Sequence, residues 1–263
     1  MFKKIMMMAA LGAAMTTAQV GNVQAQNISD YRPIYKSMVL KHGNAIVTVK
    51  FVMAINSAGK EQRIEDRTQA VLVSSDGLLL VPDRAVSFDF SAMAGGKQGE
   101  AGMVAKSSEF RVRLVDTEDW LTADLVTRDA ALGLAWLRIR NSPKNLTFVD
   151  LSLGGKPEPG MEFFTLLRTN DESGSVPLWR PGLIMGESRV PKLTYLVDGL
   201  PGLAFDTSGK PLGYVDINFA SIASAKSTMG LDMANTTLQL TPIDKVAYAT
   251  GQASKLPVAA AAK

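Results

Sequence analysis

Few side chains in this sequence could do covalent or metal chemistry. There is one histidine, His42, and no cysteine. An imidazole can act as a general base or bind a metal. Without a second histidine or a thiolate it makes a poor zinc site. Within Lys41-His42-Gly43-Asn44 it reads as an exposed turn residue. Asp206 heads the run Asp206-Thr207-Ser208-Gly209. Two aspartates sharing a proton can activate water. The other Asp-Thr pair, Asp116-Thr117, continues into Glu118 and Asp119 without a glycine, so a second copy of the chain would have to supply the partner acid. The same four residues make a natural β-turn, with Asp and Ser early and Gly at the close, and the turn is the preferred reading. Gly95-Gly96 and Gly154-Gly155 lack the strand, spacing and lysine of a phosphate loop, and read as flexible loops. Asp119, Asp124, Asp129 and Asp150 have no calcium-loop spacing. No cofactor or metal is expected. Trp136 belongs to the core, while Trp120 and Trp179 are candidates to line a groove.

The elements that would position these residues are mostly strands. The 263 residues are 46% hydrophobic and 20% charged, the composition of a globular protein. Lys3 and Lys4, the apolar run Ile5 to Val20 and Val23-Gln24-Ala25 match a cleaved export signal over residues 1–25. Its removal leaves 26 basic against 25 acidic residues, with no basic face for nucleic acid. No later apolar run is long enough to span a membrane. The expected location is periplasmic or secreted. The sequence sets no oligomeric state. Residues 26–43 read as a partly helical lead-in. Apolar, β-branched runs then predict strands at 45–53, 68–73, 78–81, 110–115, 124–126 and 134–139. Asp76-Gly77 supplies a hairpin turn. Residues 87–108 read as a long surface loop and 141–160 as a crossover. A second set of strands is expected at 161–167, 182–185, 193–197, 202–205, 212–217 and 238–242. A helix over 243–250 and a disordered tail over 251–263 complete the chain. The order predicts an all-β protein of two barrels, residues 44–140 and 161–240, in a single 44–250 unit.

Three stretches resemble bacterial trypsin-like serine proteases of the HtrA type. They are Leu72-Val73-Ser74-Ser75-Asp76-Gly77-Leu78-Leu79-Leu80 leading to Val81-Pro82-Asp83-Arg84-Ala85-Val86, then Asp129-Ala130-Ala131-Leu132-Gly133-Leu134-Ala135-Trp136-Leu137-Arg138-Ile139, then Asp198-Gly199-Leu200-Pro201-Gly202-Leu203-Ala204-Phe205. The resemblance covers residues 44–250 and implies two six-stranded antiparallel β-barrels, without a C-terminal PDZ module. It also implies where a catalytic triad would stand. Arg84 occupies the position of the base histidine, Gly133 that of the orienting aspartate and Leu200 that of the serine; a register shifted by one puts Pro201 there instead.

Those three residue types cannot run serine chemistry. A serine needs a base beside it, and the base needs an orienting acid. Arginine stays protonated, glycine has no carboxylate, and leucine has no nucleophile. The expectation is therefore an exported pseudoprotease, not an enzyme, that binds a peptide or protein segment along the cleft between the barrels. The alternatives are a peptidase working through Asp206 and a β-barrel holding a small ligand.

Overall fold

Asp76-Gly77 turns the chain as expected. Gly77 sits at φ +84°, its amide donates to the Ser74 carbonyl at 3.3 Å, and the Val73 amide reaches the Leu78 carbonyl at 2.9 Å. Glycine takes this left-handed backbone without strain. The computed structural model describes residues 31–57, 60–89, 104–115, 117–218 and 238–257. The proposed export signal, Gly95-Gly96, the expected loop after residue 220 and the last six residues lie outside them.

A helix comes first, α1 (Arg32–His42), with a proline in its first turn where no amide partner is lost. Seven strands follow: β1 (Ile46–Ser57), β2 (Lys60–Leu72), β3 (Leu78–Pro82), β4 (Ser87–Asp89), β5 (Val104–Arg113), β6 (Trp120–Asp129) and β7 (Leu134–Ile139). They pair in the order β1-β2-β3-β7-β6-β5, and β5 returns to β1 to close a six-stranded ring; β4 adds to the far side of β5. The second half supplies β8 (Glu162–Arg168), β9 (Pro177–Ser188), β10 (Thr194–Asp198), β11 (Gly202–Phe205), β12 (Pro211–Ile217) and β13 (Leu238–Pro242), before helix α2 (Ile243–Ala253). These close a second ring in the order β10-β13-β12-β11-β8-β9. Every pairing is antiparallel. The fold is the expected pair of six-stranded antiparallel barrels with short terminal helices.

Two hydrophobic clusters hold it. The larger joins the interior of the first barrel, around Leu78, Leu79, Leu80 and Trp136, to Phe164, Leu166, Phe205 and Tyr214 from the second. The smaller fills the second barrel with Phe163, Ile184, Leu212, Val215 and Leu240. Burying each large apolar side chain contributes about 1.5–3 kcal/mol. The terminal helices cross over between the halves. From the α1 end, Tyr31 packs edge-on to Phe164 and donates to Glu162, and Tyr35 reaches the Pro177 carbonyl, all in barrel two. Thr250 on α2 accepts from the buried Trp136 indole at 3.0 Å, and Arg138 donates to the Ser254 carbonyl, both from barrel one.

Several expectations are corrected. Residues 87–108 are not one loop: β4 and the start of β5 lie within them. β2 begins at Lys60, eight residues before the expected strand, and β9 at Pro177, five before. α2 runs three residues into the expected tail. Gly154-Gly155 is packed: the Gly155 amide donates to the Pro211 carbonyl at 2.8 Å, and a Cβ on Gly154 would stand 2.4 Å from Ile243.

Candidate functional site

β3 ends at Pro82, and the next three residues wind into a single 3-10 turn that carries Asp83 and Arg84 toward the second barrel. The β6–β7 turn comes alongside. Its Gly133 carbonyl accepts from the Asp83 amide at 2.8 Å. Arg128 on β6 grips Asp83 with two hydrogen bonds, 2.7 and 2.6 Å, the fork geometry that suits a guanidinium to a carboxylate. With Asp83 held this way, Arg84 crosses to the carboxylate of Asp216 on β12. Gly133 lies at the same carboxylate. It sits at φ +71°, and a Cβ there would stand 3.1 Å from Asp216 Oδ2. Arg84 and Gly133, 49 residues apart in sequence, therefore meet at one acid from the opposite barrel.

Leu200 enters from another direction. β11 pairs antiparallel with β12, with Gly202 opposite Val215. The segment Gly199 to Pro201 thus runs into β11 at the Asp216 end of β12. The Leu200 carbonyl accepts from the buried Thr165 hydroxyl on β8 at 3.1 Å. The register brings the three expected positions to one end of one strand pair, at the seam between the barrels.

Burial pushes the Asp216 carboxyl above the ordinary carboxylate range; the Arg84 charge pulls it part of the way back, and Asp83 adds to the rise. Burial, reinforced by Asp216, also raises the neighbouring Tyr214 phenol. Asp216 and Arg84 thus form a partly buried ion pair that joins the two barrels. Asp216 was not foreseen from the sequence. The available signal was a carboxylate inside the apolar strand Leu212 to Ile217.

The other candidates are elsewhere. His42 is buried at 4% exposure, not exposed in a turn. Its Nε2 donates to the Gly209 carbonyl at 2.8 Å, and its ring stacks on Phe205 with centroids 4.6 Å apart. Burial lowers its pKa, the Gly209 bond offsets part of this, and Lys41 lowers it further. Asp206 is committed to its turn: its Oδ1 accepts from the Ser208 amide, the Ser208 hydroxyl and the Lys210 amide at 2.8, 2.7 and 2.9 Å. Trp179 packs against Tyr31, Tyr35 and Phe164. Trp120 lies under Lys50, with Nζ 4.0 Å from the ring centre. Among the described residues, no group of three or more His, Asp or Glu could hold a metal. No helix among them is long and apolar enough to cross a membrane. A groove of about 590 Å³ lies outside the barrels, between the β6–β7 turn and α2, lined by Leu132, Trp136, Tyr248 and Leu256 among others.

Two closed barrels meeting at this seam define a trypsin-like fold. Solved structures that share it include the HtrA-type protease AlgW with a decapeptide, at 16% identity and a TM-score of 0.52, and its variant AlgWS227A with a decapeptide, also 16% identical, at a TM-score of 0.56. The similarity covers 83% of this chain in both cases, and this chain spans 66% and 65% of those two chains. No family model and no curated protein matches the sequence. The solved structures correct one expectation. These two solved structures are of proteases, so the exclusion of enzymatic activity drawn from three side chains is withdrawn.

Proposed function

We propose that the seam between the barrels binds an extended peptide or protein segment. The observation that carries this reading is the convergence of Arg84 and Gly133 on Asp216, with Leu200 entering β11 at the same end. Proteases of this fold have been solved with a decapeptide, which adds support by analogy. In this reading Arg84, Gly133 and Leu200 stand at the positions of a serine-protease triad, and Arg84 with Asp216 forms the polar part of the seam. Backbone hydrogen bonds along a strand edge supply affinity, and the Arg84 cation favours segments with an acidic side chain or terminus. Residues 1–25 act as a cleaved export signal, so the segment comes from a periplasmic or extracellular protein. Residues 44–140 and 161–240 form the two walls.

The test is a fluorescence-polarisation screen of labelled decapeptides against the mature chain, with mass spectrometry of the same mixtures to follow any cleavage. Saturable binding, weakened about tenfold by Arg84→Gln, is expected; a charge-assisted hydrogen bond of this kind is worth about 1.5–3 kcal/mol. Absence of saturable binding across the library would remove the proposal. Binding with turnover would assign it a peptidase.

A further inference from the structure

We propose that the outer edge of β2 pairs with the same edge of a second copy of this chain, antiparallel about Ile64, so that two first barrels join through one continuous sheet. β1 covers one side of β2 from Lys60 to Val71. On the other side, among the described residues, β2 meets a strand only at Val71 and Leu72. Residues 60–67 are all exposed. Such an edge carries a row of backbone groups without a strand partner, and proteins usually leave it that way only when side chains discourage pairing or a partner uses it. The Arg67 amide is satisfied by the carboxylate of Asp66 at 2.7 Å, which marks it as pointing away from β1. Because strand groups alternate, Glu61, Arg63 and Glu65 also present their backbone outward.

Outward residues can pair only with outward residues, so two copies align in steps of two. Centred on Ile64, every charged pair has opposite signs: Arg63 faces Glu65 of the second copy, Glu61 faces Arg67, and each pair occurs twice. A slip of two residues one way opposes Arg63 to itself and Glu61 to Glu65. A slip the other way opposes Glu65 to itself and Arg63 to Arg67. Like charges directly opposite are unfavourable, so both neighbouring registers are disfavoured relative to the one centred on Ile64. Ile64, 48% exposed in the single chain, lies at the centre against its own copy and leaves water there. The ends of the register meet a local need. Lys50, Arg67 and Arg113 converge on the single carboxylate of Asp171, and Glu61 of the second copy arrives beside Arg67 as a second acid. Arg63 is paired with the exposed Glu109, which leaves guanidinium donors for Glu65 of the second copy. The association is independent of the cleft.

Sedimentation equilibrium of the full chain over a wide concentration range should show a monomer–dimer equilibrium. Arg63→Glu and Glu65→Arg each place like charges opposite at two pairs per dimer, and each should raise the dissociation constant roughly tenfold or more. Mixing the two variants restores opposite signs at those pairs, as does combining both changes in one chain, and both preparations should dimerise like the native protein. Far-ultraviolet circular dichroism checks that each variant is folded. On the native chain alone, amide exchange at 61, 63, 65 and 67 should slow as concentration rises. A native chain that stays monomeric, a dimer indifferent to Arg63→Glu, folded variants that ignore each other when mixed, or exchange independent of concentration overturns the proposal.

Discussion

Alanine at position 133 asks whether the seam between the barrels depends on a residue without a side chain. The perturbation acts twice. Gly133 sits at φ +71°, where a Cβ crowds its own backbone at a cost of about 1–2 kcal/mol. The new methyl would also stand 3.1 Å from Asp216 Oδ2, closer than comfortable contact, so the carboxylate must retreat from Arg84. The side chains of that ion pair are 29% and 23% exposed, and solvent screening limits what it contributes to about 1 kcal/mol. The entropy that alanine removes from the unfolded chain does not rescue the variant, because that gain applies only where the native backbone suits an L-residue. Together the losses come to about 2 kcal/mol, and at about 2–4 °C per kcal/mol for a domain of this size Tm should fall by about 4–8 °C. Urea denaturation followed by circular dichroism measures the free energy directly. Repeating the substitution in an Asp216→Ala background separates the two parts, since only the backbone part should remain, at about 1–2 kcal/mol. A neutral or stabilising Gly133→Ala would refute the backbone argument, and equal losses in both backgrounds would refute the contact with Asp216.

The single histidine gives the fold a pH dependence of known sign. Its pKa is lowered in the folded protein, so the unfolded chain takes up the proton first. Stability contributed by neutral His42 is present above about pH 6.5 and is lost as pH falls below that value toward the folded pKa. His42→Gln, which keeps a donor for the Gly209 carbonyl, should flatten a stability profile taken by urea denaturation between pH 7.5 and about 5; an unchanged slope would place the proton elsewhere. Thr250→Val leaves the buried Trp136 indole N–H without its acceptor and should cost about 1–3 kcal/mol, with Thr250→Ser recovering most of it in the same assay.

The parts of this fold legible in the sequence are those where local pattern and burial agree. Leu78 to Leu80 and, apart from Arg138, Leu134 to Ile139 are apolar because both faces of β3 and β7 are covered, and they pair residue by residue from Leu78↔Arg138 to Pro82↔Leu134. The parts that were missed are strands with no apolar signal. β2 from Lys60 to Arg67 is charged or polar at every position but Ile64, because it is an edge in water. β5 holds the polar stretch Lys106 to Glu109 in its first half, and β9 opens with Pro177 and holds Pro181. Arg84 and Gly133 were identified by position along the chain, and the fold brings them to one place. Asp216 escaped notice because it meets Arg84 across 132 residues of sequence, and no short motif records a contact made by docking one barrel on another. His42 escaped for the same reason: its partner Gly209 lies 167 residues away.

The exchange of terminal helices also has a mechanical meaning. The residues that precede the first barrel reach the second through Tyr31 and Tyr35, and the helix that follows the second rests on β12 and β13 while Thr250 reaches back to the first. The two barrels are laced together by the segments that flank them, like a parcel whose string starts under one flap and is tied over the other. Losing the Tyr31 or the Thr250 contact would therefore loosen the hold of one flanking segment on the far barrel.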